Sequence, residues 1–239
     1  MPKSVLLLWF EGPLQSWGYD SKFGVRETLP FPTKSGVIGL ICCALGEKDP
    51  KDDFLKELAS STMEVKAYKN KFNDKTEQGL CLIMRDFQTI GTNYDESDPF
   101  ENLMIPKKSD GTKPVGSGAV LTYRYAIQNG KFAVFLEYEK DLAQTVYRAL
   151  QNPKWDLYLG RKAYIPTEFI AQGIFNSKEE ALEKLRQLAE IKKLKEDFSV
   201  VEEKNCDDCD VMLLNDVPVS FGRRKSYANR YVSIIKKED

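Results

Sequence analysis

Six consecutive apolar residues, Val5 to Phe10, stand near the start of this chain and break into Glu11-Gly12-Pro13. The run is too short for a membrane span or a signal segment, and its valine and aromatic members favour extended backbone. It reads as a buried strand over residues 4–10. The glycine-containing loop Leu14-Gln15-Ser16-Trp17-Gly18 follows, then a loop bearing Arg26. Phe31-Pro32-Thr33-Lys34-Ser35-Gly36 then opens an apolar helix running to about Leu45, with Ser35 as its cap. Gly36 and Gly39 weaken that helix intrinsically, so close backbone approach must compensate.

Further along, Phe54 to Ala59 reads as a short helix. Strands are expected at 63–69 and 79–84, joined by a turn or hairpin through Asn70 to Gln78. Arg85 to Thr122 carries Pro99, Pro106 and Pro114 with little periodicity, and is expected to form a protruding β-hairpin, or thumb. The alternative is a plain surface insertion. A strand at 131–138 and a helix at 141–151 follow, then a loop through Leu157-Tyr158-Leu159-Gly160-Arg161-Lys162. Ser177 with Glu180 forms a capping box for a helix reaching about Leu194, with Ala181, Leu185, Leu188 and Ile191 on its apolar face. Final strands are expected at 211–214 and 230–235. This order predicts an α+β protein of modified ferredoxin-like type. It is expected to be one domain over 1–239, with a thumb at about 85–122 and a C-terminal extension at about 177–239.

Charge is almost balanced, 35 Lys plus Arg against 36 Asp plus Glu, which argues against nucleic-acid affinity from bulk positive charge and leaves room for a local groove. The chain has no histidine, which removes the usual neutral-pH proton-transfer group and the commonest metal ligand. Five cysteines, at 42, 43, 81, 206 and 209, fit a reducing cytoplasm better than a disulfide scaffold. Cys206 and Cys209 have close ligand spacing but form only half of a zinc site. No metal or other cofactor is expected.

Four constellations carry the chemistry. Gln15, Trp17, Arg26, Thr33, Lys34 and Ser35 surround a helix N-terminus whose amides can meet a phosphate. Trp17 either stacks on a base or closes the first strand against the core. The region is not a nucleotide-hydrolase phosphate loop, because the GxxxxGK[ST] spacing is missing. On the thumb, Arg85, Gln88, Lys107, Lys108 and Lys113, with Arg124 where it rejoins the fold, are placed to touch an RNA backbone, and Asp86 to orient Arg85. Arg161 and Lys162 suit a phosphate beside Gly160. Phe221 to Lys237 adds six basic residues and no acidic one, with Arg223, Arg224, Lys225 and Arg230 interleaved with Phe221, Tyr227 and Tyr231. The competing reading of that segment is a sheet edge with solvated charges.

These motifs together resemble the CasD family, the handle-binding subunits of type I-E CRISPR Cascade complexes. Leu8 through Gly18, the Arg26 loop, the Phe31–Gly36 helix entry, Arg85–Thr89, Leu121–Tyr125, Leu157–Lys162 and Phe221–Tyr231 carry the likeness. The resemblance implies a RAMP-type ferredoxin- or RRM-like core with a thumb, and a non-catalytic antiviral role. Its implied partners are the repeat-derived 5′ handle of crRNA, the Cascade backbone and large subunits and, through the assembly, target DNA, with no membrane. It also implies contacts from Gln15, Trp17, Arg26, Lys34, Arg85, Arg161, Arg223 and Arg224. Two departures stand out. Gln88 lies where related chains can carry histidine, and Ala163-Tyr164-Ile165-Pro166 replaces a cysteine-containing continuation. The rival readings are a metal-independent endoribonuclease built on Tyr19, Lys34, Tyr123 and Arg124, and a protein-only scaffold.

Overall fold

The structure is a computed structural model describing residues 3–19, 21, 24–71, 82–90, 97–100, 110–111, 120–202, 210–222 and 224–237. In chain order its strands are β1 (Lys3–Glu11), β2 (Leu14–Gln15), β3 (Trp17–Gly18), β4 (Val25–Arg26), β5 (Thr28–Leu29), β6 (Met63–Asn70), β7 (Ile83–Ile90), β8 (Val120–Gln128), β9 (Lys131–Glu139), β10 (Ala171–Phe175), β11 (Leu194–Val201), β12 (Asp210–Ser220) and β13 (Ser226–Lys236). The helices are α1 (Lys34–Leu45), α2 (Asp52–Ala59), α3 (Lys140–Gln151) and α4 (Lys178–Ile191).

The unbroken apolar run of β1 has a geometric cause. β1 is paired antiparallel with β9 on one side and β10 on the other, inside a seven-stranded sheet ordered β10-β1-β9-β6-β11-β13-β12. Side chains alternate across a strand, so both faces of β1 must be apolar if both are covered. They are. Leu6, Leu8 and Phe10 enter the larger core with Val37, Ile41, Leu55 and Val146 from α1, α2 and α3. Val5, Leu7 and Trp9 enter a second core under Ala181, Leu185 and Ala189 of α4. Covering that second face gives the long C-terminal helix a packing role.

β7 and β8 form a separate antiparallel ladder, from Ile83 opposite Ile127 to Ile90 opposite Val120. β4 joins β8 in parallel and β2 joins it antiparallel, which ties this small sheet to the motif loops after β1.

Several expectations require correction. The strands expected at 63–69 and 79–84 are not hairpin partners: β6 pairs with β9 and β11, while β7 pairs with β8. The alternating buried Met63, Val65 and Ala67 give β6 a face for the main core. Helix α4 stops at Ile191, which is exposed, because Lys193 turns the chain with φ 54° and Leu194 begins β11. Ala189, four residues after Leu185, takes the buried position instead. β10 and β11 have no counterpart among the strands that the sequence pattern predicts. The final hairpin is far longer than 211–214 and 230–235, and Asn215 to Pro218 continues the strand through two irregularities in its pairing. Most of residues 70–78, the central thumb, Lys107, Lys108, Lys113, Arg223, Cys81, Cys206 and Cys209 lie outside the described residues.

Candidate nucleic-acid interface

The loop after β1 is held from within. Gln15 is fully buried, and its Nε2 donates to the carbonyls of Gly130 (2.7 Å) and Phe10 (3.4 Å). Its Oε1 accepts the Trp17 indole N–H at 3.1 Å. The Trp17 ring packs 5.2 Å from Phe10 and leaves 2% of the residue exposed. A Cβ at Gly36 would come within 2.8 Å of that ring, so this glycine permits the close approach that the sequence required. Gln15 and Trp17 therefore shape the site through the core.

The entry to α1 is likewise engaged internally. The expected cap at Ser35 is corrected to Thr33, whose hydroxyl accepts the Gly36 N–H at 3.3 Å. The Lys34 N–H donates to Asp216 Oδ2 at 2.7 Å, so this first-turn amide is not free for a phosphate. The Lys34 ammonium meets Glu202 at 3.0 Å, and Arg230 binds both Glu202 (2.8 Å) and Asp216 (2.6 Å). Lys34 and Arg230 are both buried. Burial pushes the Lys34 ammonium below the usual lysine range, against the pull of Glu202. Lys34 and Arg230 are thus spent on fixing α1 to the final hairpin, and Thr33 on capping α1.

Leu157–Lys162 approaches from the other side. Ser16 N–H donates to the Leu159 carbonyl at 2.9 Å, and Gly160 adopts φ 96°. A Cβ there would lie 1.8 Å from the Ser16 carbonyl oxygen, so only glycine fits. Arg161 folds over Tyr164, with its guanidinium carbon 5.4 Å from the ring centre and Nη1 3.3 Å from the phenol oxygen. Its Nη2 is buried without a hydrogen-bond partner, while Lys162 is exposed.

These loops enclose a cleft of about 630 Å³. Its walls include residues from four separated motif segments: Ser16–Gly18; Thr33, Ser35 and Gly36; Leu157, Tyr158 and Gly160; and Phe221, Lys225 and Tyr227. Ser35 and Tyr227 line it half-buried, and Lys225 lines it exposed. The sequence reading missed Glu47, Lys48 and Trp155, which also line it. No local pattern marked them, because they sit after helix ends and reach the cleft only through tertiary packing. Arg224 is exposed on the adjoining turn.

Arg26 leaves the first constellation and joins the second. In the parallel pairing of β4 with β8, it stands beside Arg124. Arg124 in turn opposes Asp86, and Gln88 Nε2 donates to Asp86 Oδ2 at 2.6 Å. Asp86 thus holds Gln88, not Arg85, which alternates to the other face of β7. There Arg85 lies 5.7 Å from the Tyr123 ring centre, and Phe87 packs 5.2 Å from Tyr123. Phe87 is 53% exposed, so the ladder presents an arginine–aromatic surface to solvent. The residues of the endoribonuclease reading do not gather: Lys34 is paired inside, and neighbouring Tyr123 and Arg124 alternate across β8.

Cys42 is buried and Cys43 half-buried, both as free thiols, and burial pushes the Cys42 thiol up to about 12. Among the described residues, no cluster of three or more metal-ligating side chains occurs. No helix among them is long and apolar enough to cross a membrane.

Known proteins are similar to this chain in sequence and fold. A family model described as CRISPR-associated protein (Cas_Cas5) matches residues 5–233, and the chain belongs to that Cas5 family. It is 28% identical over 165 residues to the CRISPR system Cascade subunit CasD of Escherichia coli (strain K12), covering 67% of this chain. The match spans 66% of that relative's length. Its fold is like that of a chain from a CRISPR RNA-guided surveillance complex, with a TM-score of 0.70, 24% identity and coverage of 98% and 90% of the two chains. A second likeness is to a Cas protein crystal structure, with a TM-score of 0.57, 27% identity and coverage of 98% and 95%.

Proposed function

We propose that this chain is a binding subunit of an RNA-guided CRISPR surveillance complex, holding the repeat-derived 5′ handle of crRNA at one end of the backbone. The convergence of four separated motif segments on one cleft is the observation that carries this reading. Exposed Arg26, Arg85, Lys162, Arg224 and Lys225 remain its backbone-contact candidates, together with Arg161, Lys107, Lys108, Lys113 and Arg223. Gln15, Trp17, Thr33, Lys34 and Arg230 act by positioning, because their polar groups are engaged inside the fold.

The same proposal takes the main sheet as a modified ferredoxin-like RAMP core and the β7–β8 ladder as the stem of its thumb. Its partners are the backbone and large subunits, and its setting is the cytoplasm. Likeness to a Cascade subunit of Escherichia coli supports that assignment. The role is to hold RNA, and turnover is assigned elsewhere in the assembly. Co-expression with Cascade subunits and repeat–spacer RNA, followed by crosslink mapping, tests it. Crosslinks from the handle to the cleft rim or β7–β8 are expected. Assembly with none would favour a protein scaffold.

A further inference from the structure

The seven-stranded sheet ends in two edges that differ. At one end β10 is five residues long, and Gln151 of α3 donates to its Ala171 carbonyl at 3.1 Å. A short edge strand is a common protection against unwanted pairing. At the other end β12 is eleven residues long and, among the described residues, pairs with β13 alone. Its second half is blunted, because Pro218 has no N–H and the pairing shifts after Leu214 and again after Pro218. Its first half is not. Asp210–Leu214 matches β13 residue for residue, from Ile234 to Arg230, and so directs the N–H and C=O of alternate residues away from the sheet.

The side chains at this edge suit a protein neighbour. Met212 and Leu214 face the larger core, while Val211 and Leu213 face the opposite side of the sheet. With Tyr231, which stands opposite Leu213, they are each between 44% and 49% exposed. Elsewhere on that side α4 covers β1 and β9, but neither β12 nor β13 contributes to the core beneath it. An apolar strip thus lies beside an open edge. Residues 210–220 contain no Lys or Arg, and Asp210 is an exposed carboxylate. Helix α2, packed against β12, exposes Asp52, Asp53 and Glu57 against Lys56. Phosphate is repelled by such a surface, and RNA has no peptide groups to pair with the edge.

Resting on the reading of this chain as one subunit of an assembly, we propose that the Asp210–Leu214 edge docks an extended segment of a protein partner, which joins the sheet as a further strand. Peptide hydrogen bonds to the open edge hold the segment. Its apolar side chains at alternate positions cover Val211, Leu213 and Tyr231, and basic residues flanking them pair with Asp210 and the acidic side of α2. A second copy of this chain fits less well, because it would set one acidic edge against another with no cation on either strand.

The test compares the full chain, alone and in its co-expressed assembly with repeat–spacer RNA, by hydrogen exchange read by mass spectrometry. Peptides covering residues 210–214 are expected to exchange about tenfold more slowly, or slower still, in the assembly. Leu213→Lys puts a charge on an exposed edge position and is expected to remove that slowing together with the co-purification of one protein subunit. Thermal melting checks that the fold is kept. Equal exchange in the free and assembled chain, or slowing that Leu213→Lys leaves intact, would overturn the edge contact; handle crosslinks to the cleft would leave RNA holding in place. Slowing produced by RNA alone, or by self-association of the free chain, would overturn a protein partner as the occupant. Slowing in an assembly without handle crosslinks would support the edge contact and overturn the RNA reading. A chain that co-purifies with no subunit would overturn both.

Discussion

The Arg230 guanidinium holds the Asp216 carboxylate at both oxygens, Nε to Oδ1 at 2.6 Å and Nη2 to Oδ2 at 2.7 Å, across the β12–β13 hairpin. Asp216 Oδ2 also accepts the Lys34 N–H, so one carboxylate joins the hairpin to the start of α1. Phe221 and Tyr227 of the cleft belong to that hairpin, and Ser35 and Gly36 to that helix. The pair therefore fixes the distance between two walls of the site.

Arg230→Ala leaves Asp216 buried with only a backbone donor. Removing one member of a buried pair costs about 3–5 kcal/mol. Urea denaturation is expected to show a loss of that order. Arg230→Lys is expected to restore only part of it, because an ammonium cannot match the two-oxygen geometry. An unchanged midpoint in Arg230→Ala would refute the structural role.

Lys34 gives a contrasting case. Glu202 keeps Arg230 Nη1 at 2.8 Å and the Met63 N–H at 3.0 Å when the ammonium is removed. Lys34→Met is therefore expected to stay within about 1 kcal/mol of wild type, or above it. Because burial lowers the folded-state pKa below the ordinary 10.5, the unfolded chain binds more protons between those two values. Wild-type stability should gain from this group as pH rises through that window, and Lys34→Met should lose the gain. Parallel urea titrations from neutral pH to about 10.5 measure it. Identical pH slopes in the two proteins would sink the argument.

This network also marks where the sequence was legible and where it was not. The apolar run at Val5–Phe10, the helix entry and the capping of α4 by Ser177 all follow local patterns. The strand expected at 211–214 stops short of Asn215-Asp216-Val217-Pro218, where an aspartate in a strand interior is unfavourable without a partner. Its partners lie at Arg230 and Lys34, and the distant lysine is invisible to periodicity. β11 was hidden similarly, since Lys195, Glu196 and Asp197 look solvated. In the fold Glu196 pairs with Lys66 at 2.8 Å and Asp197 with Lys69 at 3.3 Å across β6. Basic residues were legible as charges, but not as buried or exposed ones.

Gly160 makes a prediction about the opposite wall. Gly160→Ala puts a methyl group into the Ser16 carbonyl and a side chain on left-handed backbone. The backbone alone costs about 1–2 kcal/mol, and the clash must move one of the two loops. A lower melting temperature with weakened RNA binding is expected. Wild-type values for both would show that the Leu159–Ser16 contact does not shape the cleft.

The ladder of β7 and β8 separates binding from stability. Phe87 is largely exposed, and Arg85 is exposed where it lies over the Tyr123 ring. Phe87→Ala and Arg85→Glu should therefore change the unfolding midpoint by no more than about 0.5 kcal/mol equivalent, the ordinary range for surface substitutions. If RNA runs along this face, losing one stacking surface should weaken binding by about 1–3 kcal/mol. Arg85→Glu should in addition flatten the salt dependence, since a phosphate contact releases a counterion. Competition binding at two or more salt concentrations reads both effects. Unchanged affinity together with impaired assembly would instead make the arginine–aromatic face a contact for a protein subunit.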